Sequence, residues 1–316
     1  MKAMREAYGE ALVELGGKNP RVVVLDADVS SSSRSVLFKN AYPERFFNVG
    51  IAEGNMVGIA AGLATCGYIP FVNTFAFLFA LRAADPIRSF VAYNRLNVKI
   101  AGAYGGFSDS YDGASHQAVE DVSIMRSIPN LTVIVPADEH AARKAVLAAA
   151  EYKGPVYLRL SRAEVPEVYD AAAPFAIGKA NIVRTGRDVT IVANGYMVRK
   201  ALDAAAMLAE RGIDAEVIDM HTVKPFDAAA LLASAAKTGA VVTVEENNIY
   251  GGLGSAAAEV LATRQPLPLE IVGIKDAFGE SGPYEAILAK HGLDPAAIIA
   301  AAERVLSRKD QGRGGR

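Results

Sequence analysis

One acid stands alone in a long run of apolar and small residues. It is Glu53, in Gly50-Ile51-Ala52-Glu53-Gly54-Asn55-Met56-Val57-Gly58-Ile59-Ala60-Ala61-Gly62-Leu63-Ala64. At the start of a helix, burial opposes its charge while the helix dipole favours it. Such a carboxyl can have a raised proton affinity, or it can simply be an acid suited to a helix N-terminus. Downstream, Asn73-Thr74-Phe75-Ala76-Phe77-Leu78-Phe79 clusters aromatics that either stack on a heteroaromatic ring or fill core. A third segment runs Gly102-Ala103-Tyr104-Gly105-Gly106-Phe107-Ser108-Asp109-Ser110-Tyr111-Asp112-Gly113-Ala114-Ser115-His116-Gln117. Long glycine-rich loops of this kind commonly carry function. Asp112 and His116 could hydrogen-bond a hydroxylated substrate and move protons, or form an Asx turn entering a helix. Arg5, Ser32 and Arg162 fall at element ends, where an arginine fork can hold phosphate or pair at the surface. Arg82 and Arg88 are further anion-binding or solvated candidates. Ile249-Tyr250-Gly251-Gly252-Leu253-Gly254-Ser255 is a weak phosphate-loop signal, and Glu245-Glu246 reads as structural.

These segments follow short β-branched runs. Ala7, Ala11, Leu12 and Leu15 mark an opening amphipathic helix over 4–15. Strands are predicted at 21–25, 46–49, 69–72, 98–101, 131–135 and 156–160, with a small-residue helix over 52–66. Apolar runs buried on both faces, alternating with helices, predict a parallel sheet built of βαβ units. Periodicity lapses between Ser161 and Arg187, around Pro166 and Pro174, and a leading strand is expected there. A second α/β series follows, with strands 189–193, 215–218 and 240–244 and helices 198–210 and 255–262. The expected layout is a first domain over 1–165, a linker over 166–186, a second domain over 187–307 and a flexible tail over 308–316. In such folds ligands sit beyond the carboxyl ends of the strands, which is where the candidate residues fall.

A chain of 316 residues suggests about two domains with ample core. Its 33 Lys+Arg against 35 Asp+Glu leave a net charge of −2, which argues against nucleic acid as a partner. Hydrophobic residues at 51% and charged residues at 22% are ordinary for a globular protein. Cys66 alone forms no internal disulfide, and the scattered histidines predict no metal site. The first residues lack a secretory apolar core, and no stretch is long enough to span a bilayer, so a cytoplasmic location is expected.

Taken together, the segments resemble the transketolase family in order and spacing. Phe46-Phe47-Asn48-Val49-Gly50-Ile51-Ala52-Glu53 resembles the family's glutamate motif. Asp112-Gly113-Ala114-Ser115-His116-Gln117 resembles its D-G-x-[ST]-H-Q motif. Ile134-Val135-Pro136-Ala137-Asp138, Leu160-Ser161-Arg162 and Ile249–Ser255 are similar in kind, and the match runs from about 4 to 301. The resemblance implies the parallel-sheet pyrimidine-binding domain of thiamine diphosphate enzymes, followed by a transketolase carboxyl-terminal α/β domain. The diphosphate-binding half, with its G-D-G motif and Mg²⁺-binding Asn, has no counterpart in this sequence. The implied protein is the smaller subunit of a two-gene transketolase. It would act with a diphosphate-binding partner, two of each forming a heterotetramer, and the partner would supply the ligands of diphosphate and Mg²⁺.

By the same resemblance, Glu53 would bond the aminopyrimidine N1′ of thiamine diphosphate and favour the tautomer that deprotonates the thiazolium. Asp28, Phe75 and Phe79 would also contact the cofactor. Asp112 and His116 would meet donor hydroxyls, with His116 assisting proton transfer. Arg5, Ser32, Tyr104 and Arg162 would surround the sugar phosphate, and a two-carbon ketol unit would pass from ketose to aldose. This sequence departs from the family at three places. Tyr104 replaces a common histidine, Ser110-Tyr111 replaces Gly-Glu, and Leu78 replaces an aromatic for which Phe77 or Phe79 would compensate. These changes point to an altered substrate channel. Alternatives are the β subunit of a 2-oxo acid dehydrogenase, a deoxyxylulose-phosphate-synthase-like enzyme, and a non-catalytic scaffolding subunit.

Overall fold

The computed structural model describes residues 2–314. Six strands occupy its first half: β1 (Val22–Asp26), β2 (Phe46–Asn48), β3 (Ile69–Phe75), β4 (Lys99–Ala103), β5 (Thr132–Ile134) and β6 (Val156–Leu160). Six more follow: β7 (Asn181–Arg184), β8 (Val189–Ala193), β9 (Ala215–Asp219), β10 (Thr222–Lys224), β11 (Val241–Asn248) and β12 (Leu269–Ile274). Every residue of β1, β4, β6, β8 and β9 is buried, as apolar strands covered by helices on both faces require. The helix Met4–Lys18 turns Ala7, Ala11, Leu12 and Leu15 inward, the face that its spacing predicts.

The strands pair into a seven-stranded sheet of order β10-β5-β6-β4-β3-β1-β2 and a five-stranded sheet of order β12-β11-β8-β9-β7. Two strands break the expected all-parallel pattern. β7 runs antiparallel to β9, and β10 runs antiparallel to β5. β10 therefore leaves the second domain to close the edge of the first domain's sheet. The cause is local. Met220-His221 alone separates β9 from β10, the Val135 amide donates to the His221 carbonyl at 2.8 Å, and Lys224 Nζ donates to the carbonyls of Arg126 (2.9 Å) and Ile128 (2.5 Å).

The segment expected as a linker is tied down rather than loose. Asp138 accepts from the amides of Val168 and Tyr169, each at 2.8 Å, while its other oxygen caps the helix Glu139–Glu151 through Ala141. Tyr169 Oη donates to Asp219 at 2.7 Å. The flexible tail expected from Arg308 is a correction: the helix Pro295–Gly314 carries through most of it. Arg308 pairs with Glu270 at 2.6 Å and Lys309 Nζ donates to the Asp188 carbonyl at 3.1 Å, which holds the segment against the second sheet. Residues 315 and 316 lie outside the described residues. Among the described residues no helix is long and apolar enough to cross a membrane.

Candidate active site

The carboxyl ends of β2, β1, β3 and β4 lie side by side, and the candidate residues sit on the segments leaving them. Pairing aligns Asp26 with Asn48 on one side and Asn73 on the other, so a polar row crosses three adjacent strands near their carboxyl ends. Asp26 is fully buried and accepts from the Val29 amide (2.6 Å), Ser33 Oγ (3.1 Å) and Ser35 Oγ (2.7 Å). It thereby folds the serine-rich turn that presents Ser32. Burial pushes the Asp26 carboxyl above its ordinary range, against the pull of these donors. Asp28 is exposed, at φ 64°, and accepts from Asn48 Nδ2 at 2.8 Å. The buried acid of the turn is thus Asp26, which reads in the sequence as the last residue of an apolar strand.

Glu53 is the first residue of the helix Glu53–Thr65, directly after β2. It is only 4% exposed, and its buried Oε1 has no hydrogen-bond partner among the described residues. Arg82 Nη1 approaches to 3.6 Å, beyond hydrogen-bond range, on a side chain that is 60% exposed. A buried carboxylate oxygen left open in this way is costly unless a donor meets it.

At the ends of β3 and β4, Phe75 stacks on Tyr104 with centroids 4.9 Å apart and on Phe77 at 6.4 Å. His116 meets both phenylalanines edge-on, at 6.0 and 5.7 Å, and Ser115 Oγ lies 3.0 Å from its Nδ1. Phe79 is a correction: it is wholly buried in the core beside Met56, Val91 and Ile100. Residues two apart on a helix point about 200° from each other, so Phe77 and Phe79 cannot share a face. Phe77 is the one that joins the aromatic group.

Tyr104, at φ 64°, is held in a left-handed conformation unusual for a large residue. Arg5 Nη1 donates to its hydroxyl at 2.8 Å and to the Ser32 carbonyl at 3.2 Å, so Ser32 presents its backbone to Arg5. Arg162 also lies over the Tyr104 ring, pairs with Asp109, and has Asp112 Oδ2 at 3.9 Å. Burial, together with the Asp112 carboxylate, pushes Asp109 above its ordinary range, while Arg162 opposes the shift. The structure therefore gathers Arg5, Ser32, Tyr104, Asp112 and Arg162, and connects them to His116 through Phe75. Asp109 belongs to the same group, although in the sequence it reads as one more polar loop residue.

The second domain supports this loop from behind. Glu246 on β11 accepts from the Phe107 amide (2.6 Å) and Tyr284 Oη (2.8 Å), and burial pushes it up to about 7. Gly106, at φ 64°, passes so close that a Cβ would lie 2.3 Å from the Glu246 carboxylate. Arg159 grips Asp121 through Nε at 2.9 Å and Nη2 at 3.0 Å, and donates to the carbonyls of Ala118 (2.8 Å) and Glu246 (2.9 Å). Gln117 Nε2 donates to the Glu280 carbonyl at 3.0 Å, and the Gly282 amide to the Ser110 carbonyl at 3.0 Å. The glycine-rich turn 249–255 is already served by its own anion. Glu245 accepts from the amides of Leu253 (2.7 Å) and Gly254 (2.8 Å) at the start of the helix Leu253–Arg264. Three potential metal ligands, Glu139, His140 and Glu167, approach one another at the linker, outside this site.

Fold and site together define a two-domain α/β protein with a buried open carboxylate and an aromatic group at the carboxyl ends of a mostly parallel sheet. Residues 1–168 match the family described as transketolase, pyrimidine binding domain, and residues 178–298 match the transketolase C-terminal domain. The chain belongs to the transketolase family. It is 46% identical over 307 residues to the 6-deoxy-6-sulfo-D-fructose transketolase subunit of Clostridium sp. (strain MSTE9), covering 97% of this chain and 95% of that one. It is 38% identical over 299 residues to an apulose-4-phosphate transketolase subunit of Phocaeicola vulgatus, covering 94% and 96%. A solved structure described as a split gene transketolase, inactive beta4 tetramer, is 50% identical, with a TM-score of 0.90, and covers 97% of this chain and 99% of that chain.

Proposed function

We propose that this chain is the smaller subunit of a thiamine diphosphate-dependent transketolase, moving a two-carbon ketol unit from a ketose to an aldose. Glu53 carries the reading. Its buried Oε1, open to a donor, fits an aminopyrimidine nitrogen that needs a carboxyl to share its proton. The roles of the chain's other residues follow from where they stand. Phe75 and Phe77 line the side of the site that would receive the pyrimidine ring. His116, edge-on to both, holds or releases a proton at a donor hydroxyl, and Asp112 accepts from another. Arg5 and Arg162 face the far end of the sugar. When bound, thiamine diphosphate would supply a nucleophilic carbanion and a thiazolium ring that acts as the electron sink.

Diphosphate and Mg²⁺ would be held by a second, diphosphate-binding chain, in an assembly with two copies of each. The solved relative described as an inactive beta4 tetramer supports the need for that second chain. So do the apolar side chains exposed on the segments flanking Glu53, namely Phe47, Ile51, Ile59 and Leu81. The test is co-expression with the product of the neighbouring gene, followed by assay with thiamine diphosphate, Mg²⁺, ketose donors and aldose acceptors. Ketol transfer by the pair, and none by this chain alone, is the expected result. Turnover of a 2-oxo acid in place of every ketose, or full activity without a partner, would overturn the proposal.

A further inference from the structure

The pocket around Tyr104 carries less positive charge than its two arginines suggest. The Arg5 and Arg162 guanidiniums lie 5.7 and 5.1 Å from the centroid of the same Tyr104 ring, so both serve one site. Among the described residues no carboxylate pairs with Arg5; it donates to the Tyr104 hydroxyl and the Ser32 carbonyl, and its buried Nε has no partner among them. Arg162 is different. Asp109 is wholly buried, forms an ion pair with Arg162, and leaves its Oδ2 without another partner. Asp112 brings a second carboxylate to 3.9 Å of the same guanidinium. The Arg162 side chain remains 37% exposed, so a substrate would meet a cation already neutralised from behind.

We infer that Asp109 determines substrate charge: by neutralising Arg162 it sets the pocket for sugars whose far end carries at most one negative charge, over the phosphate dianion. This rests on the proposed function, in which the pocket receives that end of the donor. A phosphate ester carries about −1.5 to −2 at pH 7, a sulfonate one charge and a hydroxyl none. The second charge of a phosphate would face the Asp109 carboxylate from which water is excluded, where repulsion is little screened. Arg5 alone suffices to pair with a single charge.

The experiment uses the reconstituted two-subunit enzyme with fructose, 6-deoxy-6-sulfofructose and fructose 6-phosphate as donors. The native enzyme is expected to favour the sulfonate over the phosphate in kcat/KM by about tenfold. Asp109→Asn should move that ratio about tenfold towards the phosphate, mainly through KM. Asp109→Ser should move it in the same direction, so that a folding defect in one variant does not decide the matter. Folded variants with an unchanged ratio, or a native enzyme that favours the phosphate tenfold, would overturn the inference while leaving ketol transfer standing. Calorimetric titration of the same assembly with the charged donors reads the charge preference without turnover. If no ketose is turned over yet the sulfonate binds more tightly and Asp109→Asn reverses the order, the proposed function fails and the charge assignment holds.

Discussion

Replacing Glu246 by alanine separates the second domain from the loop that carries Asp112 and His116. The carboxylate is 4% exposed and accepts from the Phe107 amide across the domain boundary and from Tyr284 Oη within its own domain. A hydrogen bond to a charged acceptor contributes about 1.5–3 kcal/mol, and a buried amide left without a partner costs about 1–3 kcal/mol. The Tyr284 hydroxyl can turn elsewhere, whereas the Phe107 amide cannot. The burial that raises Glu246 to about 7 offsets part of the loss, because removing the side chain also removes a desolvated carboxylate. A net local loss of about 3 kcal/mol follows, close to a hundredfold in an opening equilibrium. Native-state hydrogen exchange at the Phe107 amide reads this directly. In Glu246→Ala the amide should exchange about a hundredfold faster, with Glu246→Gln intermediate and strand amides of β8 unchanged. Protection of Phe107 within threefold of native would refute the idea that this contact holds the loop.

Phe77 and Phe79 should part company on substitution. Phe79→Ala should cost about 3–5 kcal/mol in urea unfolding, as for a buried aromatic, whereas Phe77→Ala should cost about 1 kcal/mol and weaken thiamine diphosphate binding by the assembled enzyme in calorimetry. His221 is fully buried, stacks on Phe175 at 4.2 Å, and burial lowers it to about 4 from an ordinary 6.5. Its neutral form is the one the fold accommodates, so that contribution is intact above pH 6.5 and is lost as pH falls from 6.5 through 4. Urea titrations should show about 3 kcal/mol more acid destabilisation in the native protein than in His221→Phe over this interval; equal pH slopes would contradict it.

Most strands were legible because they are short apolar runs, with β1, β4, β6, β8 and β9 buried along their whole length, and those runs keep their pattern without any tertiary information. β12, half-exposed and interrupted by Glu270 and Gly273, went unread. β10 was not, since three residues, Thr222-Val223-Lys224, carry no periodicity and find their place only by pairing with a strand almost ninety positions earlier. The helical course of 308–314 was hidden for a similar reason. Its charged composition reads as solvent-exposed, and only the fold brings Glu270 to Arg308. In the site, Glu53 and the loop 102–117 stood out by contrast with their surroundings. Phe77 against Phe79 turned on helix phase at a boundary that sequence leaves loose. Asp26 and Asp109 went unmarked, and Glu246 was read only as half of a structural pair, because nothing local distinguishes a buried, partnered acid from a solvated one.

The central claim is that Glu53 shares a proton with the bound cofactor, and Glu53→Gln in the reconstituted two-subunit enzyme tests it most directly. The amide keeps the shape of a side chain that is 4% exposed, so folding and subunit assembly should be preserved. Positioned proton transfer typically contributes 10²–10⁴-fold, and ketol transfer should fall by at least about a hundredfold at saturating thiamine diphosphate. A Glu53→Gln enzyme that retains native kcat with every donor would contradict the account.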